Sequence, residues 1–110
     1  MAGYYQIKKA DNGAFSFTLK AGNHEVVLVS RMHQSDGDLR MAIEQVRRNS
    51  QRAERFKRLV AKDKSPYFTL TDEQGQVLGS SEMYSSALSM EQGIKSVMSN
   101  GATSLIKEAP

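Results

Sequence analysis

The residues of this chain whose types admit chemistry are two histidines, a glycine-spaced acid pair, two serine doublets and a dense run of arginines. A divalent metal needs three or four ligands in suitable geometry. The chain has no cysteine and nothing clusters with both His24 and His33, so two solvent-exposed histidines are expected. Asp36-Gly37-Asp38 opens like a calcium loop but lacks the later ligands and the terminal glutamate; carboxylates at a helix N-terminus, favoured by the dipole, account for it. Ser80-Ser81 and Ser85-Ser86 lack the glycine-flanked elbow of a hydrolase, and no histidine follows them, so caps and turns are their expected roles. Gly75-Gln76-Val77-Leu78-Gly79 is not followed by the Gly-Lys-Ser element of a phosphate loop; Gly79 within a strand marks a bulge or a close backbone approach. The expectation is a non-enzymatic protein with no catalytic residues, no cofactor and no metal.

The arginine run remains. Residues 40–64 carry nine basic side chains against three acidic ones, while the whole chain carries only +3, so the charge is concentrated in one segment. Basic clusters bind phosphate backbones by counterion release, which makes Arg40, Arg47, Arg48, Arg52, Arg55 and Arg58 candidate nucleic-acid contacts. Only Phe56 is interleaved with them, and the stacked aromatics of an RNA-recognition strand are absent. The competing reading is a solvated basic face, with Glu44 and Arg48 paired across one helical turn.

The elements that must position these residues are legible because the sequence repeats. A shift of 51 positions superposes Phe17-Thr18-Leu19 on Phe68-Thr69-Leu70, then Val26, Ser30, Met32, Ser35, Ile43, Val46 and Asn49 on their counterparts. That makes ten identities between residues 17 and 49, where chance supplies roughly two. Phe15, Phe17 and Leu19 alternate with polar residues, as do Pro66, Phe68 and Leu70, which is strand periodicity. Turn residues and β-rich runs follow, Glu25 to Ser30 and Gln76 to Ser81, completing a hairpin in each copy. Tyr5 and Ile7 suggest an earlier strand closed by Asp11-Asn12-Gly13.

The period then changes. Leu39, Ile43 and Val46 match Met90, Ile94 and Val97 as one apolar helical face, with Ser35 and Ser86 as N-caps. Asn100-Gly101 suits a helix C-terminus, where a left-handed residue is tolerated. Taken alone, Asp38 to Val60 reads as one long basic helix. The copy-two break at glycine ends the first helix near Asn49 and makes Glu54–Ala61 a strand, the counterpart of Thr103–Lys107. One copy would leave bare strand edges and an uncovered sheet face. Two copies related by a pseudo-twofold share a sheet and bury their helices together.

The stretch from Gly75-Gln76-Val77-Leu78-Gly79-Ser80-Ser81-Glu82-Met83-Tyr84-Ser85-Ser86 to Glu91-Gln92-Gly93-Ile94-Lys95-Ser96-Val97 closely resembles the repeat signature of the YegP-like bacterial proteins in their duplicated form, and the resemblance covers essentially the whole chain. It implies an α+β fold of two tandem β-β-β-α-β repeats sharing one antiparallel sheet, helices packed on it and final strands exchanged between repeats. It implies no activity and no catalytic residues. Copy one departs from the signature at His33 (Tyr84 in copy two), Asp36-Gly37-Asp38 (Ala87-Leu88-Ser89) and Ala42 (Gly93).

At 110 residues the chain is expected to form a single domain, with repeat one at about 4–55 and repeat two at about 56–108. It has 39% apolar and 25% charged residues, a globular composition. Met1-Ala2-Gly3-Tyr4-Tyr5 lacks a signal-peptide pattern and no apolar run spans a membrane, so a cytoplasmic monomer without membrane association is expected. Its partners are unspecified. A binding or interaction module is the first functional expectation, and weak electrostatic nucleic-acid binding through residues 40–64 is the alternative.

Overall fold

The alternation of large apolar and small polar side chains sets three strands before each helix. The computed structural model describes residues 3–108. In it β1 (Tyr4–Lys9), β2 (Phe15–Lys20) and β3 (Val26–Val29) lead to helix α1 (Asp36–Asn49). A 3-10 turn (Ala53–Arg55) then enters β4 (Phe56–Val60), followed by β5 (Pro66–Thr71), β6 (Val77–Ser80), helix α2 (Ala87–Asn100) and β7 (Ile106–Glu108). The rival long helix is absent: α1 stops at Asn49, and the expected strand over Glu54–Ala61 is present over Phe56–Val60. Both N-caps form as the serines predict, Ser35 Oγ accepting from Asp38 N–H and Ser86 Oγ from Ser89 N–H.

The seven strands lie in the order β4-β5-β6-β3-β2-β1-β7. The expectation of an antiparallel sheet needs correction, because β7 runs parallel to β1. The reason is topological. The chain leaving each helix heads along the first strand of the opposite repeat. After α1 that direction is realised as β4 itself, which serves both as the strand after the helix and as the partner of β5. After α2 the corresponding place already holds β1, so the returning strand adds outside it in the same sense. Each strand that follows a helix thus pairs within the other repeat, as exchange requires.

Both helices cover one face of the sheet. Tyr5, Phe17, Leu19, Leu28, Phe68 and Leu70 point from alternate strand positions into a single buried cluster with Leu39, Ile43 and Val46 of α1 and Met90, Ile94 and Val97 of α2. The repeat identities are structural. Ser30 Oγ accepts from Phe17 N–H and donates to Arg31 O, and Ser81 Oγ does the same with Phe68 and Glu82. These bonds satisfy backbone groups that would otherwise be buried without partners.

Where the pseudo-axis brings the repeats into self-contact, large and small residues alternate. Leu28 and Gly79 occupy equivalent positions on the paired strands β3 and β6. A Cβ on Gly79 would lie 2.9 Å from Leu28 Cγ and Cδ2, which is the close approach expected of that glycine. The helix C-caps, Ser50 and Gly101, meet likewise, and a Cβ on Gly101 would overlap the Ser50 side chain. Gly101 is therefore not a left-handed cap; its backbone is right-handed (φ −64°) and the glycine is required by space.

The turns divide their strain in the same way. Gly13 (φ 86°) is equivalent to Lys64 (φ 71°), and His24 (φ 70°) to Gly75 (φ 83°). Each turn therefore needs the left-handed region, and each repeat gives glycine to a different one. A side chain at such a φ costs on the order of 1 kcal/mol. Nothing surrounds the Gly13 Cβ position, so the cost is purely backbone. Lys64→Gly is expected to stabilise the fold by about 1 kcal/mol and Gly13→Lys to destabilise it by about as much, read from urea midpoints at constant slope.

Candidate functional site

Five of the six arginines are engaged by carboxylates drawn from different elements. Arg40 on α1 donates to Asp36 (2.8 Å) and to Glu108 beside β7 (2.8 Å). Arg47 is tucked under the chain: Nε donates to Thr103 O at 2.8 Å, one NH group meets Glu44, and the guanidinium lies 5.6 Å from the Tyr5 ring centroid. Arg52 approaches Glu54 at 3.7 Å, and Arg55 donates to Asn49 Oδ1 (3.0 Å) with Glu73 at 3.9 Å. Arg58 grips both oxygens of Glu91 on α2, which holds that carboxyl below the usual glutamate range. Only Arg48 of the six has no carboxylate within 4 Å among the described residues. It shares with Arg52 a polar hollow that also contains Asp72 and Glu73.

The histidines have separate structural settings, and no group of three His, Cys, Asp or Glu side chains among the described residues could hold a metal. His24 Nδ1 bonds the Tyr4 hydroxyl at 2.8 Å. His33 exchanges backbone bonds with Phe15, and its Nε2 is buried without a partner. Burial first, then the nearby Arg31, pulls its pKa below the ordinary histidine value, with Asp38 opposing. It is thus only partly exposed rather than fully solvent-exposed as expected. Asp36 and Asp38 sit in the first turn of α1, as the dipole favours.

The sheet face opposite the helices carries the distinctive chemistry. Strand pairing aligns one row of side chains from edge to edge: Lys57, Thr69, Ser80, Val29, Thr18, Gln6 and Lys107. Six strand spacings of about 4.8 Å make this row roughly 29 Å wide. Lys8 and Lys20 project from the same face and border a depression of about 420 Å³ with Gln6, Ser16, Thr18 and Val26. Lys107 Nζ lies 4.2 Å from the Tyr4 ring centroid on this side. The strand positions facing this way include four lysines and no carboxylate, and none of the four lysines is in an ion pair among the described residues. Summing charge along the chain missed this surface because its lysines come from four strands. The available signal was period two: each lysine neighbours a core residue, Ile7, Leu19, Phe56 or Ile106.

Comparison with known proteins gives the family. The model described as Domain of unknown function (DUF1508) matches residues 10–56 and again 61–108. This chain belongs to the YegP-like family in its duplicated form. A UPF0339 protein of Shewanella oneidensis is 44% identical over 98% of both chains, and the UPF0339 protein YegP of Escherichia coli strain K12 is 39% identical over 98% of both. The solution NMR structures of a UPF0339 protein from Shewanella oneidensis and of yegP from E. coli each superpose with a TM-score of 0.92. The first covers 98% of this chain and 92% of its own, and the second 98% and 93%. The latter is itself described as a protein of unknown function, so the YegP-like family supplies a fold and no activity. Among the described residues no helix is long and apolar enough to cross a membrane.

Proposed function

We propose that this protein is a non-enzymatic binding domain that takes nucleic acid along its phosphate backbone on the helix-free face of the sheet. The observation carrying this reading is charge segregation. Five of the six candidate arginines meet carboxylates, whereas Lys8, Lys20, Lys57 and Lys107 stand unpaired around hydroxyl and amide groups. Uncompensated cations over a broad polar surface attract a polyanion and release its counterions. Gln6, Thr18 and Ser80 of this row offer donors to phosphate and sugar rather than base-reading geometry, so binding is sequence-tolerant. The reading includes a monomer in the cytoplasm: a chain without cysteine needs no oxidising compartment.

Anisotropy titration of a labelled single strand tests it. If all four lysines neutralise phosphates, log K against log salt has a slope of about −3. Replacing them by glutamine (Lys8→Gln, Lys20→Gln, Lys57→Gln, Lys107→Gln) flattens that slope and weakens binding by about tenfold or more. Absence of binding at low salt, or binding unaltered in the fourfold variant, overturns the reading. Loss that instead follows Arg48→Gln and Arg52→Gln returns the interface to residues 40–64.

A further inference from the structure

The two ends of the sheet are equivalent by the internal repeat but are not equally covered. β1 and β4 are counterparts at the 51-residue shift, each the outer strand of a hairpin closed by the same bond, Ala10 N–H to Ala14 O and Ala61 N–H to Ser65 O. On β1 the odd-numbered residues face outward, and β7 occupies that edge: Tyr5 N–H donates to Leu105 O, and Tyr5, Gln6 and Ile7 align with Ile106, Lys107 and Glu108. On β4 the equivalent outward residues are Phe56, Arg58 and Val60. The Phe56 N–H is satisfied by Ala53 O of the preceding turn. Beyond it, β4 has no strand neighbour except β5 among the described residues. The outward N–H groups of Arg58 and Val60 and the carbonyls of Phe56 and Arg58 therefore line an open edge.

From this asymmetry we infer that the outer edge of β4 is a docking slot for an extended, acidic segment of a partner protein, seated parallel to β4 as β7 is seated on β1. Strand addition supplies main-chain hydrogen bonds, and side chains at alternate positions select the segment. At the filled edge, the residue level with Gln6 points to the open sheet face and the residue level with Ile7 points toward α1, where Glu108 meets Arg40. The matching levels on β4 are Lys57 and Arg58. Lys57 has no ion pair among the described residues, whereas Arg58 is already held by Glu91, the counterpart of Arg40. The preference for an acid is therefore set by the residue level with Lys57. Of the six basic side chains in residues 52–64, Arg52, Arg55 and Arg58 meet carboxylates, whereas Lys57, Lys62 and Lys64 are in no ion pair among the described residues. These three lysines favour an acidic segment and oppose pairing of β4 with a second copy of itself. Val60, 69% exposed at the end of the strand, offers apolar contact for the residue that follows.

The test uses the full-length protein and a peptide of residues 103–109 carrying Lys107→Glu, which places carboxylates level with Lys57 and Arg58. Amide hydrogen exchange is read residue by residue. Peptide at millimolar concentration is expected to slow exchange at Arg58 and Val60 by about fivefold or more, leaving Phe56 unchanged. Arg58→Pro removes an outward N–H without touching the β4–β5 ladder, because proline is tolerated on an edge strand. It is expected to abolish the slowing at Val60 while Lys57 and Leu59 stay protected. Arg58→Gln, which loses the Glu91 pair but keeps the N–H, retains the slowing. No slowing, or slowing at Val60 that survives Arg58→Pro, overturns the inference and leaves Lys57 and Arg58 as guards against edge pairing. Protection that rises with protein concentration in the absence of peptide also overturns it, in favour of self-pairing. An oligonucleotide bound on the sheet face does not order the β4 edge amides, so this test and that of the proposed function fail independently.

Discussion

Replacing Gly79 by leucine is expected to destabilise the fold by about 3 kcal/mol, and adding Leu28→Gly to the same protein is expected to recover most of that loss. Leu28 and Gly79 are equivalent residues on the two central strands, and only one of them has room for a side chain: Leu28 is fully buried and lies where a Gly79 Cβ would stand. Gly79→Leu alone forces two leucines into that space. Leu28→Gly alone opens a cavity and adds backbone freedom, at a cost of about 4 kcal/mol. The transposed pair, Leu28→Gly with Gly79→Leu, restores one leucine and one glycine about the pseudo-axis and is expected to return to within about 1.5 kcal/mol of the original. Urea unfolding of the four proteins at constant slope checks it. Additive losses in the double variant would show that the two sites are not interchangeable. Against a total stability of about 5–15 kcal/mol the single changes are large.

Gly101→Ala is expected to cost about 2 kcal/mol, with Ser50→Gly recovering it. Here the C-terminal ends of α1 and α2 press together. Ser50 is fully buried, donates to Arg47 O and accepts from Gln51, while the Gly101 carbonyl accepts the Tyr5 hydroxyl at 2.6 Å. A methyl group on Gly101 would overlap Ser50 and lie 2.8 Å from Val97 O, so the helix ends must separate and strain the Tyr5 bond. Thermal unfolding of Gly101→Ala, Ser50→Gly and the double variant measures the coupling. Equal losses in Gly101→Ala with and without Ser50→Gly would place the strain in the helix backbone instead.

Both sites show what the sequence made legible and what it did not. The ten identities located the hairpins, the serine caps and the end of α1, because those roles are local and recur in both copies. Leu28 against Gly79 and Ser50 against Gly101 are differences between copies. They acquire meaning only when the pseudo-axis makes each residue the neighbour of its own counterpart. Glycine after a helix is usually a left-handed cap, but the reason for Gly101 lies 51 residues away, in the side chain of Ser50. The parallel seating of β7 was hidden for a related reason, since it depends on β1 already holding the place to which α2 returns. The basic segment was visible as charge. Its dispersal into pairs with Asp36, Glu44, Glu54, Glu73, Glu91 and Glu108 depends on contacts across the fold, as does the assembly of four distant lysines on one face.

The seating of β7 on β1 also has a mechanical side. Tension applied between Tyr4 and Glu108 runs along two adjacent strands that point the same way. It slides one past the other instead of peeling them apart, so the hydrogen bonds between them carry the load together. Pulled between Tyr4 and Val60, the sheet has no such clamp. The same domain therefore resists force in a direction-dependent way, firm along the edge that is closed and yielding along the edge that is open.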